Sequence, residues 1–233
     1  MNQKGLTLME VLVSVTLLSL LSVAMFMAMR IGLNSYVKAD ARLMDNRRAV
    51  GAQRIVEEEI EGFVPVIAAC NGGNDGPGTK RAFFQGEPGV IRLVSTFSLQ
   101  GGWRGQPQVL ELFVIPGENG RGVRLVVNET LYTGPAGAGR FCLGARQFLP
   151  VSSSPRSFVL ADKLAYCRFA YLTPSPTPNE PPAWKTVWTT QTWPLAVRVE
   201  MAPLEADPSR IQPITVTAPI YLHRSPEIQY GDF

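Results

Sequence analysis

The sequence predicts an α+β protein, with one long N-terminal helix followed by a β-rich body. The helix is predicted by an uncharged apolar run from Val11 to Met29 and by apolar residues at helical spacing as far as Phe63. After Cys70 the pattern changes to alternation and short apolar runs, which are typical of strands. The 21 Gly and 19 Pro of the chain fit many turns between such strands.

The composition excludes several classes of function. The 233 residues are 45% hydrophobic and carry a net charge of +3, which suits one or two domains with a real core. Basic residues are scattered along the chain, so nucleic-acid binding is not expected. With a single histidine the chain offers neither a catalytic triad nor a histidine cluster. We therefore expect no enzymatic activity, no cofactor and no metal site.

The apolar run is long enough to cross a membrane. Val11 to Met29 would form roughly 28 Å of helix, which is longer than the apolar region of a secretory signal peptide, and no convincing small-x-small cleavage site follows it. Glu10 lies inside this apolar surrounding. An acidic side chain costs about 2.5–3.5 kcal/mol at the centre of a membrane helix and less near its end. Glu10 therefore needs a partner, and the nearest cation, Lys4, lies beyond Gly5.

The segment KGLTLMEVLVS, Lys4 to Ser14, resembles the N-terminus of prepilins, the precursors of type IV pilins and of type II secretion pseudopilins. The resemblance implies that a prepilin peptidase cuts between Gly5 and Leu6 and that the new amino terminus of Leu6 is methylated. Glu10 then takes the fifth place of the mature chain, where the family carries glutamate. The family prefers phenylalanine at the first mature position, and Leu6 departs from that preference.

Cleavage would give Glu10 a partner. The α-amino group created at Leu6 has a reference pKa near 8, so it is mostly cationic. In a filament this amine can lie beside Glu10 of a neighbouring subunit, and the pairing offsets the desolvation of both charges. We expect Glu10 to fix the stagger of the subunits, because a wrong stagger leaves a charge unpaired.

The resemblance implies a pilin-like fold and a bacterial inner-membrane location, with a single span and the C-terminal body in the periplasm. Counting Lys and Arg on each side of the span predicts the opposite orientation. We follow the resemblance, because the peptidase acts on the cytoplasmic face. The implied segments are a cleaved leader (1–5), a transmembrane and assembly helix (6–29), an amphipathic half-helix (30–64) and the periplasmic body (65–233).

The amphipathic half-helix carries an apolar stripe formed by Ala52, Val56 and Ile60. Such a stripe packs either on the body of its own chain or on a partner, and we expect it to contribute to a partner interface. Arg54 and Glu58 are placed to form an ion pair at i,i+4.

The body is predicted from segments rich in β-branched and aromatic residues. The segment Pro116–Gly122 is typical of a hairpin turn, and residues 173–182 are expected to form a stiff, proline-rich surface loop. The predicted strands are Val90–Phe97, Val109–Ile115, Val123–Tyr132, Leu164–Leu172, Ala196–Met201 and Ile214–Leu222.

Three cysteines, Cys70, Cys142 and Cys167, allow one disulfide and one free thiol in an extracytoplasmic body. Cys142 and Cys167 both lie in strand-like stretches and are the preferred pair.

Within the prepilin class, the second half of the chain is similar to the J-type minor pseudopilin of type II secretion and to W-type minor type IV pilins, through LADKLAYCRFAYL, WPLAVRVEM and TVTAPIYLHR in that order. The J-type resemblance implies a tip subunit that helps to initiate pseudopilus assembly and promotes protein export. The implied partners are the I- and K-type minor pseudopilins, the major pseudopilin, the prepilin peptidase and the inner-membrane assembly platform. A membrane-tethered periplasmic binding domain built on Trp184, Trp188 and Trp193 is the alternative from another class.

Overall fold

A computed structural model describes residues 7–70, 79–99, 105–143, 147–175, 180–204 and 214–221, without the side chains of residues 41–49. The chain divides into two compact units, Met1–Arg47 and Arg48–Phe233. The predicted α+β, pilin-like class is confirmed by a long helix and a large antiparallel sheet. Part of the predicted loop 173–182 and the end of the last predicted strand lie outside the described residues.

Helix α1 runs from Leu8 to Glu61. Its segment Leu8–Asp40 is long and apolar enough to cross a membrane, with a mean hydropathy of 2.4 over an 18-residue window. The hydroxyl groups of Ser14, Thr16, Ser19 and Ser22 donate hydrogen bonds to backbone carbonyls three or four residues earlier, so they need no water in an apolar surrounding. The helix ends at Glu61, within the predicted half-helix 30–64, and the expected Arg54–Glu58 ion pair is present at 2.9 Å.

The strands of the body form one large sheet and two small ones. The large sheet has the antiparallel order β12-β11-β9-β6-β5-β4-β3, and β10 pairs with the end of β9; β1 pairs with β2, and β7 with β8. The strands are β1 (Ile67–Cys70), β2 (Thr79–Ala82), β3 (Gln85–Glu87), β4 (Val90–Ser95), β5 (Gln108–Pro116), β6 (Val123–Leu131), β7 (Cys142–Leu143), β8 (Gln147–Phe148), β9 (Phe158–Thr173), β10 (Ala183–Lys185), β11 (Ala196–Pro203) and β12 (Ile214–Pro219).

All six predicted strands are present, and those that the sequence missed are short. Strand β9 begins at Phe158, six residues before the predicted Leu164. The predicted hairpin at Pro116–Gly122 joins β5 to β6 through a 3₁₀ turn at Glu118–Gly120. A left-handed Asn119, with φ of 56°, closes that turn, which explains the Asn-Gly pair there.

The inner core lies between the C-terminal part of α1 and one face of the large sheet. Ala52, Val56 and Ile60 are buried there, at 2%, 0% and 0% exposure, and Val56 and Ile60 pack with the apolar residues of the strands. They are core residues of the body and leave no surface for a partner. This corrects the expected partner interface, because the stripe packs against the sheet of its own chain.

A second, smaller core lies on the opposite face, which we call the outer face. Strands β1, β2, β7 and β8 together with helix α2 (Pro135–Gly139) form an outer layer over β4 and β5. The disulfide Cys70–Cys142 joins β1 to β7 within this layer. The predicted pair Cys142–Cys167 is therefore wrong. Cys167 packs in the inner core, on the other side of the sheet, and its thiol is free.

Candidate functional site

The described chain begins at the first turn of α1. The backbone N–H groups of Glu10 and Val11 donate to the carbonyl of Thr7, at 3.0 and 3.3 Å. Glu10 is the acidic residue of this turn, where its charge interacts favourably with the helix dipole. Its side chain is exposed and so is accessible to a cation from another chain. Gly5 and Leu6, the predicted cleavage residues, lie outside the described residues.

A row of polar side chains crosses four adjacent strands of the outer face. The register places Gln85, Arg92, Glu111 and Asn128 directly opposite one another on β3, β4, β5 and β6. Arg92, at 1% exposure, donates from Nη1 to Gln85 Oε1 at 2.5 Å and pairs with Glu111 Oε1 at 2.6 Å. Asn128 Nδ2 donates to Glu111 Oε2 at 3.0 Å. Gln85 Nε2 donates to Glu87 Oε1 at 2.7 Å, and no buried side-chain N or O atom of the four row residues lacks a hydrogen-bond partner.

The polar row also attaches to the sheet the segment that follows β8 and contains Leu149 and Ser152. Arg92 Nη2 donates to the carbonyl of Leu149 at 2.9 Å, and Asn128 Nδ2 donates to that of Ser152 at 3.1 Å. The Arg92 guanidinium lies 5.6 Å from the ring centroid of Phe141 and 5.4 Å from that of Phe148. The row is closed by its own partners, so its role is to hold the outer layer rather than to bind a substrate.

Arg81, on β2, lies next to this cluster but is not paired like Arg92. It is 8% exposed, and its guanidinium stacks 4.5 Å from the ring centroid of Phe148. Nε and Nη1 are buried without a hydrogen-bond partner, and burial lowers the pKa of Arg81. Arg81 is therefore a buried cation whose incomplete pairing lowers the stability of the fold.

Glu59 is a fully buried carboxyl group on α1. Neither of its oxygens has a hydrogen-bond partner of good geometry. Burial first, and then the nearby carboxylate of Glu129, raise the pKa of Glu59 to about 9. Glu129 accepts hydrogen bonds from Ser98 Oγ at 2.9 Å and from the N–H of Leu99 at 2.6 Å. Glu59 is consequently neutral at physiological pH and carries no charge for chemistry there.

The outer face of β9, β11 and β12 carries exposed or half-buried polar and aromatic side chains. Arg198 stacks on Trp184, with Cζ 3.9 Å from the ring centroid, and Arg168 stacks on Tyr166 at 5.0 Å. Trp188 and Trp193 are instead buried in the inner core. The three tryptophans therefore form no common platform, which corrects the binding site on which the alternative function depended.

Sequence reasoning missed the polar row and the two arginine–aromatic pairs. A signal for the row was present, since VIRLVS and VLELFV each place one charged residue in an otherwise apolar strand. An isolated charge in a buried strand needs a partner, and Arg92 and Glu111 are that pair. Among the described residues, no group of three or more His, Cys, Asp or Glu side chains could hold a metal ion.

The long helix, the antiparallel body and the acidic first turn form a pilin-like α+β fold whose N-terminal helix is long and apolar enough to cross a membrane. Residues 1–26 match the family model of the prokaryotic N-terminal methylation motif. This match supports a prepilin-like N-terminus with a class III leader, similar to that of type IV pilins and pseudopilins. No curated protein matches the chain.

Proposed function

We propose that this chain is a minor pseudopilin of the J type, a tip subunit that helps to initiate assembly of the pseudopilus of a type II secretion system and so promotes protein export. The methylation motif over residues 1–26, with Glu10 in the first turn of an exposed apolar helix, supports the prepilin class. The J type is favoured by the resemblance of LADKLAYCRFAYL, WPLAVRVEM and TVTAPIYLHR, in that order. A helix of this kind supplies both an anchor in the membrane and a stem for the filament.

The physical basis of assembly is the pairing of opposite charges in an apolar environment. After cleavage before Leu6, the new amine and Glu10 of a neighbouring subunit neutralise each other, and each would otherwise remain an unpaired charge among apolar helices. The chain acts through this assembly, not through catalysis. We place the body in the periplasm, and the Cys70–Cys142 disulfide supports an oxidising compartment.

We propose the I- and K-type minor pseudopilins, the major pseudopilin, the prepilin peptidase and the inner-membrane assembly platform as partners. Because Ala52, Val56 and Ile60 are buried, the partners must contact other surfaces of the body.

The prepilin class is tested by the processing of the full-length chain in its own membrane. N-terminal sequencing should find a mature chain that begins with methylated Leu6. Gly5→Val should leave the leader attached, while Thr7→Ser, two residues further on, should not. A mature terminus near residue 30 would show a conventional signal peptide and would overturn the proposal.

The role of Glu10 is tested by Glu10→Val, which removes the charge from the first turn of α1. Membrane insertion should persist, because a charge is removed from an apolar segment. Entry into the filament should fall at least tenfold, measured from subunit amounts in sheared filament fractions. Ser14→Ala, one turn further along, is the matched control. Normal incorporation of the Glu10→Val variant would contradict the pairing.

The J-type assignment is tested by co-purification from detergent-solubilised membranes. We expect the I- and K-type subunits to be recovered with the full-length chain. Recovery of type IV pilus minor subunits instead would assign the chain to the W type.

A further inference from the structure

The outer face of β9, β11 and β12 presents two arginines that the fold has oriented in advance. The register sets Arg168 opposite Glu200 and Arg198 opposite Ala170, so the two arginines are diagonal neighbours on one face. Each guanidinium lies on the ring of an aromatic side chain. Stacking covers one side of the guanidinium plane and leaves the N–H groups at its edge available.

The charge of this face is not balanced within the described part of the chain. The one ion pair recorded here is Arg198 Nη1 to Glu200 Oε1, at a long 3.9 Å. Arg168 is exposed and has no carboxylate partner among the described residues, and Nε of Arg198 is buried without a hydrogen-bond partner. Arg168 therefore offers donors that have no carboxylate acceptor among the described residues, and the Nη groups of Arg198 have only the long contact with Glu200.

We propose that this face docks an acidic segment of another prepilin-type subunit, with separate carboxylates pairing with Arg168 and Arg198. The proposal rests on the proposed function, since it names the surface by which the body meets a partner in the filament. Guanidinium groups suit carboxylates because two parallel N–H groups can bind both oxygens. Because the rings already restrain both side chains, less conformational entropy is lost on docking.

The same geometry disfavours a nucleic acid. Bases bind open aromatic faces, but the rings of Tyr166 and Trp184 are each covered by a guanidinium. Glu200 lies directly opposite Arg168 and next to Arg198, where it would repel a continuous chain of phosphates. A protein segment can instead place single carboxylates around Glu200. Thr215 and Thr217, exposed on β12, extend the face with hydroxyl groups that bind either donors or acceptors.

The test is photo-crosslinking with the full-length chain in its own membrane. p-Benzoyl-L-phenylalanine in place of Thr217, which pairs with Arg198 in the register, should form a crosslink to another subunit that carries the methylation motif. The crosslinked peptide should contain at least two Asp or Glu residues. Arg168→Gln together with Arg198→Gln should lower the yield about tenfold, as expected for the loss of two exposed charge pairs.

Three controls separate docking from folding. Arg121→Gln, at an exposed arginine beside the β5–β6 turn, should leave the crosslink yield unchanged. The same photo-reactive residue at the exposed position of Thr130 should not capture the same peptide. Arg168→Gln alone removes no buried contact, so the variant should keep the thermal stability of the natural chain. A fall in its crosslink yield can then be attributed to docking and not to unfolding. Arg168→Glu should lose the crosslink, and a Lys at the mapped partner carboxylate should restore it.

Several results would overturn the docking proposal: a crosslink to nucleic acid, to a second copy of this chain or to an exported protein, no crosslink, or an unchanged yield in the double variant. N-terminal sequencing of the same sample separates the two proposals. A chain processed at Leu6 without the crosslink refutes the docking surface alone, whereas an unprocessed chain refutes the proposed function.

Discussion

The outer face of the large sheet has two halves, one in which arginine side chains are buried and one in which they are wholly or partly exposed. On β3 to β6 the outer layer covers the face, and Arg92 is buried among fixed partners. On β9, β11 and β12 the described residues leave Arg168 exposed and Arg198 partly exposed, each on an aromatic ring. In the covered half a charge holds two layers together, and in the open half a charge is free to meet another molecule. The difference arises from what lies above the strand, not from the residue type.

The comparison is tested most strongly at Arg92. Arg92→Met should lower the free energy of unfolding by about 3–5 kcal/mol, because it leaves the Glu111 carboxylate buried without its cation. Denaturant unfolding of the full-length chain in detergent measures the change. Arg81→Met is the matched control on β2; it should be neutral or stabilising, because it removes a buried cation that lacks partners. Equal losses for both variants would contradict the distinction between them.

The disulfide should have the next largest effect. Replacing Cys70 and Cys142 by Ser together should cost about 2–4 kcal/mol, since the bond closes a loop across a sequence separation of 72. Hydrogen exchange should accelerate in β1, α2 and β7 and remain unchanged in β11. A reductant should destabilise the natural chain and Cys167→Ala alike but leave the double variant unaffected. Faster exchange in β11 would show that the two halves do not respond separately.

Because its carboxyl group is buried, Glu59 should make the stability of the folded chain depend on pH. Its pKa is about 9 in the folded chain against an ordinary value of 4.5, so the folded state keeps a proton that the unfolded state loses. Stability should therefore fall as the pH rises from about 4.5 to about 9, by at most ~1.4 kcal/mol per pH unit. Glu59→Gln mimics the protonated acid and should remove this slope.

Thermal unfolding at pH 5, 6.5 and 8 measures the slope, and Glu57→Gln on the same helix is the control. Equal slopes for the natural chain and Glu59→Gln would refute the assignment of this proton to Glu59.

The smallest effect on stability is expected in the open half. Arg168→Gln should change the free energy of unfolding by no more than about 0.5 kcal/mol, because the side chain is exposed and stacks on a single ring. The measurement is the same denaturant titration as for Arg92→Met. A loss comparable to that of Arg92→Met would mean that Arg168 supports the fold, and the contrast between the two halves would fail.

Much of the architecture was predictable because its causes are local. The apolar run, the Asn-Gly turn and the alternation of residues in the longer strands each act over a few neighbouring positions. The short strands β1, β2, β7 and β8 were not predictable, since segments of two to four residues carry too little pattern. They form because the outer layer packs on a sheet that is distant along the chain.

The sequence by itself determined the long apolar helix with Glu10 and the strands that build the large sheet, because each depends on consecutive residues. The tertiary structure decided which cysteines pair, since Cys142 and Cys167 lie on opposite faces of the sheet. It also decided that the stripe around Val56 is core and that Arg92 and Arg168 have different roles. Burial on a strand depends on what covers each face, and that is set by contacts between segments far apart in sequence.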